Sequence, residues 1–200
     1  SVENLELLED EEVKGFIGEY SPKQSLFDFD NPKTFGPVAL QNSYFEFRKQ
    51  IQDAMLKTSK MFEEVAEEFE KISKRKYGFV EEYRTEDAGK VIVAMGSVCG
   101  TIKETVDRLR DEGKNVGLLK IRLFRPFPYK QVAKALKGVQ DIIVMDRNLA
   151  FGTKQVLASE IEHATGKKVQ SVVYGLGGRD VFEKQIEELF LEEKSPEYLM

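Results

Sequence analysis

From residue 86 to 194 the sequence alternates short apolar runs with longer amphipathic stretches, and this alternation restricts the fold more than any other feature. GKVIVAMG, NVGLLKIRLF, DIIVMDR and KKVQSVVYGLGG each read as a strand. Their apolar residues come in unbroken runs, so burial on both faces is expected. TIKETVDRLRDEG, PYKQVAKALKG, FGTKQVLASEIEHATG and RDVFEKQIEELFLEEK carry apolar residues at helical spacing instead. Doubly buried strands alternating with helices predict an α/β fold, a three-layer domain around a mostly parallel sheet. In the first of these helices, Thr101 with Glu104 three residues later reads as a capping box, and Gly113 as the terminator.

Two further zones precede this one. Residues 1–43 read as an extended arm, broken by the Asn31-Pro32 and Gly36-Pro37 turn signals. The arm holds Phe16, Tyr20, Phe27, Phe29 and Phe35, more aromatic surface than a solvated linker needs, so it is expected to pack on something. Residues 44–85 read as a long amphipathic helix and a linker. Phe47, Ile51, Met55, Phe62, Val65, Phe69 and Ile72 recur at three- and four-residue steps over 44–74. A rod of about 45 Å follows, long enough to bridge two bodies. The domain proper is then 86–200.

Composition excludes several classes of function. Asp and Glu outnumber Lys and Arg by 35 to 30, and a net charge of -5 gives no electrostatic reason to bind nucleic acid or an acidic membrane. The apolar runs are too short to span a bilayer. The acidic SVENLELLEDEE stretch does not read as a signal peptide, and none is expected from it. The single cysteine, Cys99, cannot form an internal disulfide, so a reducing compartment, the cytoplasm, is expected. Nor can it hold an iron–sulfur cluster, which needs about four thiolates. The start without Met suggests part of a longer polypeptide.

Ligands of parallel α/β sheets sit beyond the carboxyl ends of the strands, so four loops matter. GSVCGT could cradle an anion at a helix N-terminus, although a tight turn with a helix cap is the expectation, because neither GxxxxGK[ST] nor GxGxxG is present. Cys99, in that loop, reads as a packing residue rather than a nucleophile. In FRPFP, Arg125 could clamp a carboxylate or phosphate, and an ion pair with Asp146 or Asp180 is the expected structural role. DRN places Asp146 and Arg147 at one strand end, where they could order a loop or a subunit interface. YGLGGRD joins three glycines to Arg179 and Asp180, with Asp180 expected to cap the last helix. His163, the sole histidine, is expected to interact with a helix C-terminus.

MGSVCGTIKETVDRLRDEGKNVGLLKIRLFRPFP, IIVMDRNLAFG and YGLGGRD, in this order, resemble the alpha subunit of pyruvate and related 2-oxoacid:ferredoxin oxidoreductases. FIGEYSPKQSLFDFDNPKTFGPVALQNSYFEFR is similar to the connector of that subunit. The resemblance covers nearly the whole chain. It implies a domain similar to the C-terminal domain of transketolase-type enzymes. It also implies oxidative decarboxylation of a 2-oxoacid with coenzyme A and ferredoxin. Thiamine diphosphate, magnesium and iron–sulfur clusters would serve the whole complex, with thiamine-diphosphate-binding, gamma and ferredoxin-like subunits as partners. No GDG motif with downstream asparagines and no cysteine set is present, so none of these groups is expected on this segment alone. No catalytic or metal-binding residue carries over. Arg125, Asp146, Arg147, Arg179 and Asp180 remain as candidates for contacts near the assembled site or an interface. The alternatives from other classes are a stand-alone nucleotide- or coenzyme-A-binding module and a non-catalytic subunit-interaction domain.

Overall fold

The computed structural model describes residues 5–200, which divide into two compact units, 5–77 and 78–200. The first unit contains α1 (Asp10–Ile17) and α2 (Tyr44–Ser73). The arm is thus not wholly irregular. α1 is stabilised by charge rather than burial: three acids occupy its first turn, and the Glu12 carboxylate accepts the Glu9 backbone N–H at 3.1 Å. α2 spans 30 residues and stops where Lys74 turns left-handed. Phe69 holds the unit together, with Phe16 and Tyr77 each 5.7 Å away between ring centroids and the Arg75 guanidinium over its face. Neither helix has a buried residue, and Tyr20, Phe27 and Phe29 of the arm are exposed.

The second unit is the expected three-layer α/β domain. Its strands are β1 (Val80–Tyr83), β2 (Lys90–Ala94), β3 (Val116–Ile121), β4 (Asp141–Asp146) and β5 (Gln170–Val173), in the spatial order β1-β3-β2-β4-β5. β2 to β5 run parallel, and β1 pairs antiparallel with β3 at the edge. α3 (Val98–Asp111) and α6 (Glu183–Leu191) pack together on one face; α4 (Tyr129–Ala135) and α5 (Val156–Thr165) cover the other. The two-residue repeat of a strand divides the core accordingly. Ile92 and Ala94 of β2 face the α3–α6 layer, while Val91 and Val93 face α4–α5. Each such Val or Ile side chain, once fully buried, contributes about 1.5–3 kcal/mol.

β1 falls in the stretch read from sequence as a linker. Its residues, Val-Glu-Glu-Tyr, are mostly charged, and an edge strand can keep its charges by pairing them. Glu81 is hydrogen-bonded by Lys103 of α3 and lies 2.5 Å from the Arg122 guanidinium, while the Tyr83 hydroxyl donates to Asp107 at 2.6 Å. Burial pushes the Glu81 carboxyl up, but the Lys103 hydrogen bond and the charges of Arg122, Lys103 and Lys120 outweigh it and hold the group below its ordinary value of 4.5. The fold therefore favours the ionised form. This stabilisation is complete above the ordinary value and disappears as pH falls through the lowered one. Thermal melts from pH 7 to pH 3 should show stability falling below about pH 4.5, with a smaller fall in Glu81→Gln. An equal fall in both would remove Glu81 as a source.

Two capping assignments are corrected. α3 begins at Val98 after Ser97, so Thr101 lies inside the helix, where its carbonyl accepts the Thr105 hydroxyl at 3.0 Å. α6 begins at Glu183, and it is the Gln185 side chain that accepts the Phe182 backbone N–H at 3.0 Å; Asp180 does not cap it. In both cases the cap pattern is three residues away from the boundary: α3 starts three residues before Thr101 and α6 three residues after Asp180.

Candidate functional site

Because β2 to β5 are parallel, their carboxyl ends share one edge, and the four loops singled out in the sequence converge there. The chain runs from β2 outward to β3, then crosses back to β4 on the other side of β2. The strand order reverses between β2 and β4, where crevices form in open α/β sheets. Gly96 and Ser97 follow β2 at this point; Arg147 and Asn148 follow β4.

The candidate residues do not form one cluster. Arg125 pairs with Glu160 of α5 at 2.6 Å, not with Asp146 or Asp180. It also stacks over Phe124, 4.1 Å from the ring centroid, and donates to the Phe124 carbonyl at 2.8 Å. Glu160 further accepts the Tyr129 hydroxyl, and Tyr129 meets His163 edge-on at 5.0 Å. Arg125 thus fastens its loop to α5, a contact between residues 35 positions apart that local sequence does not encode.

Asp146 is 7% exposed and caps a helix from a distance. Its Oδ2 accepts the backbone N–H of Leu157, second residue of α5, at 2.9 Å and the Asn148 side-chain amide at 3.0 Å. Gln155, at the helix cap position, provides no side-chain cap. The strand-end aspartate therefore stabilises the α5 N-terminus through its charge and an otherwise unmet donor. Arg147 points the other way: its Nε donates to the Gly175 carbonyl at 2.8 Å. Gly175, Gly177 and Gly178 all have positive φ, and this turn folds the Arg179 backbone back toward Gly175. Arg179 and Asp180 are exposed.

Cys99 is buried, and burial pushes its thiol up to about 11, so it carries almost no thiolate at neutral pH. Cys99 should resist thiol-labelling reagents at pH 8 in the native chain and react on unfolding; fast native labelling would contradict this burial. His163 stands on the outer α4–α5 layer. No group of three or more His, Cys, Asp or Glu among the described residues could hold a metal ion, and none of the described helices is long and apolar enough to cross a membrane.

What the rim does present is apolar and cationic. Phe151 stands at a loop tip, 92% exposed and with φ 40, beside a cleft of about 700 Å³ lined by Leu149, Lys154, Gln155 and Ser171. Phe182 is 62% exposed. A second hollow, about 250 Å³, is lined by Tyr174, Gly175, Leu176 and Arg179. Reading the sequence did not single out Phe151 or Phe182. The available signal was an aromatic residue placed in a polar strand-end loop.

Comparison with known proteins places the chain. Residues 88–186 match the family "Pyruvate:ferredoxin oxidoreductase core domain II". Pyruvate synthase subunit PorA of Thermotoga maritima is 45% identical over 94% of this chain and 50% of its own length. That of Methanocaldococcus jannaschii is 47% identical over 90% of this chain and 48% of its own length. The chain thus spans about half the length of these curated relatives. Among solved structures, 2-oxoglutarate:ferredoxin oxidoreductase from Magnetococcus marinus aligns with a TM-score of 0.48 and 23% identity, over 56% of this chain and 19% of that one. By this match and these relatives, the chain belongs to the family of pyruvate:ferredoxin oxidoreductase alpha subunits.

Proposed function

We propose that this chain is the C-terminal part of the alpha subunit of a pyruvate:ferredoxin oxidoreductase and acts there as a structural and assembly domain. The whole enzyme would convert pyruvate and coenzyme A to acetyl-coenzyme A and carbon dioxide, passing two electrons to ferredoxin. The observation that carries this reading is the identity to pyruvate synthase subunits along almost the full chain. An α/β unit whose only thiol is buried, and whose rim exposes aromatic side chains, supports the assembly role.

The residues of this chain do not fit the cofactors of such an enzyme. One cysteine cannot replace the roughly four thiolates of an iron–sulfur cluster. The candidate rim has no described cluster of carboxylates for magnesium and the pyrophosphate of thiamine diphosphate. Those groups are assigned to the companion subunits, thiamine-diphosphate-binding, gamma and ferredoxin-like, and to the rest of the alpha subunit. The cytoplasm is the proposed location.

Reconstitution tests the proposal. The chain alone should show no pyruvate-dependent reduction of ferredoxin or of a viologen dye. The complete alpha subunit with its companions should reduce either acceptor when pyruvate and coenzyme A are both present. Turnover by the isolated chain would overturn the assembly role. A complete complex inert toward pyruvate but active on another 2-oxoacid would overturn the substrate.

A further inference from the structure

An open sheet ends in two edge strands, and each edge turns main-chain N–H and C=O groups away from its only neighbour. Here the edges are β1 and β5. β1 carries Glu81 and Glu82. Charge on an edge deters pairing with another chain, because a second strand would have to desolvate it. β5 lacks this protection: from Val169 to Gly178 the sequence VQSVVYGLGG holds no charged residue. An uncharged edge rich in valine is the composition that pairs with its like.

The segment after α6 covers the β5 edge instead. The Val173 N–H donates to the Glu197 carbonyl at 2.8 Å, and the Leu199 N–H donates to the Val173 carbonyl at 2.9 Å, a parallel bridge opposite Tyr198. Earlier in the segment the Gln170 side chain clips it to the strand. Its Nε2 donates to the Glu193 carbonyl at 3.4 Å, and its Oε1 accepts the Ser195 N–H at 2.6 Å. Leu199 rests against the α3–α6 side of the core. The cover is incomplete. Val173 bonds outward, and strand residues two apart share an orientation, so Ser171 turns its own N–H and C=O outward too. Those groups of Ser171 have no main-chain partner among the described residues. A hollow of about 560 Å³ lies there, lined by Ser171, Glu192, Ser195, Pro196 and Glu197. Two main-chain bonds, one side-chain clip and one partly buried leucine make a strap that opens more readily than the sheet beneath it.

We infer that residues 193–199 guard the β5 edge, and that the occupant they exclude is β5 of a second copy of this chain. The complementarity lies in the strand itself. Across a two-fold axis at Val172, Ser171 of one copy faces Val173 of the other, and each of these residues offers one outward donor and one outward acceptor. Two such facing pairs would join the two sheets edge to edge. The strap and the second copy need the same N–H and C=O of Val173, so only one of them can be seated at a time. The two edges of the sheet are thus kept single by different means, β1 by charge and β5 by a strap.

Sedimentation velocity of the full 200-residue chain over a concentration series tests the guard, with hydrogen exchange read at single amides. Leu199→Pro removes the N–H that bonds the Val173 carbonyl and so loosens the strap. This variant should self-associate at a concentration about tenfold or more below that of the parent. At low concentration its Val173 amide should exchange faster than in the parent. At high concentration the Ser171 and Val173 amides should both become protected. Gln170→Lys added to Leu199→Pro puts a charge on the open edge and should return the chain to the parent's association behaviour. Gln170→Ala with Leu199→Ala loosens the strap without a proline, and it decides the question if Leu199→Pro does not fold. A folded, loosened variant with the parent's association at every concentration would overturn the guard. So would association that leaves the Ser171 and Val173 amides unprotected, because the copies would then meet elsewhere.

Discussion

A Gly117→Ala variant unfolds at a lower urea concentration than the parent chain, by the equivalent of about 3 kcal/mol. Gly117 is the second residue of β3, aligned with Val91 of β2 on one side. On the other side, β1 pairs with β3 as far as Tyr83 opposite Leu118, so Arg84 arrives opposite Gly117. A methyl group there would meet the Arg84 carbonyl oxygen at 2.5 Å and its carbonyl carbon at 3.0 Å. These are backbone atoms, which cannot rotate away as a side chain can. Relief requires β1 to move off the sheet. That movement would also break the pairs that bind Glu81 to Lys103 and Arg122. Gly138→Ala is the matched control, since no atom lies within 4 Å of its added methyl, and it should change stability by no more than about 0.5 kcal/mol. Equal midpoints for both variants would mean that β1 does not approach β3 as described.

Asp146→Ala lowers the melting temperature by roughly 10 °C, the effect of losing about 2 kcal/mol in a unit of this size. The change strands the buried Leu157 N–H at the start of α5 and releases Asn148. Asp146→Asn retains an acceptor oxygen in the same place and should recover more than half of the loss. The pair of variants separates capping from chemistry. In the assembled enzyme, the asparagine variant should keep its turnover, because the carboxylate touches only this chain's own backbone and Asn148. A stable asparagine variant without activity would make Asp146 a participant in the reaction.

The parts of the fold that can be read from sequence are those in which periodicity reports burial. VIVA and IIVM are uninterrupted, and LLKI is broken only by Lys120, because β2, β3 and β4 lie between two helical layers; the spacing of Phe47, Ile51 and Met55 predicts α2 directly. β1 escapes that reading because Glu81 and Glu82 interrupt its apolar pattern, and Glu81 is held by ions from α3 and from the end of β3. α1 escapes because it is short and mostly charged, with only Val13 and Phe16 partly covered and Phe16 resting on Phe69. The site divides in the same way. Parallel strands place Arg125, Asp146, Arg147 and Arg179 on one edge, and that much follows from the order of elements. Their partners do not, since Glu160, Leu157 and Gly175 come from distant positions brought close only by packing. The close approach at Gly117 is hidden for the same reason: nothing near it in sequence reports Arg84.

For a strand-end rim proposed to be covered on assembly, hydrogen exchange on the complete alpha subunit, free and assembled, is the decisive measurement. Assembly should slow exchange in the loops after β4 and β5, around Phe151 and from Gly175 to Phe182, while the outer faces of α3 and α5 keep their free-state rates. Unchanged rates in both loops, with protection confined to α3 or α5, would contradict the account.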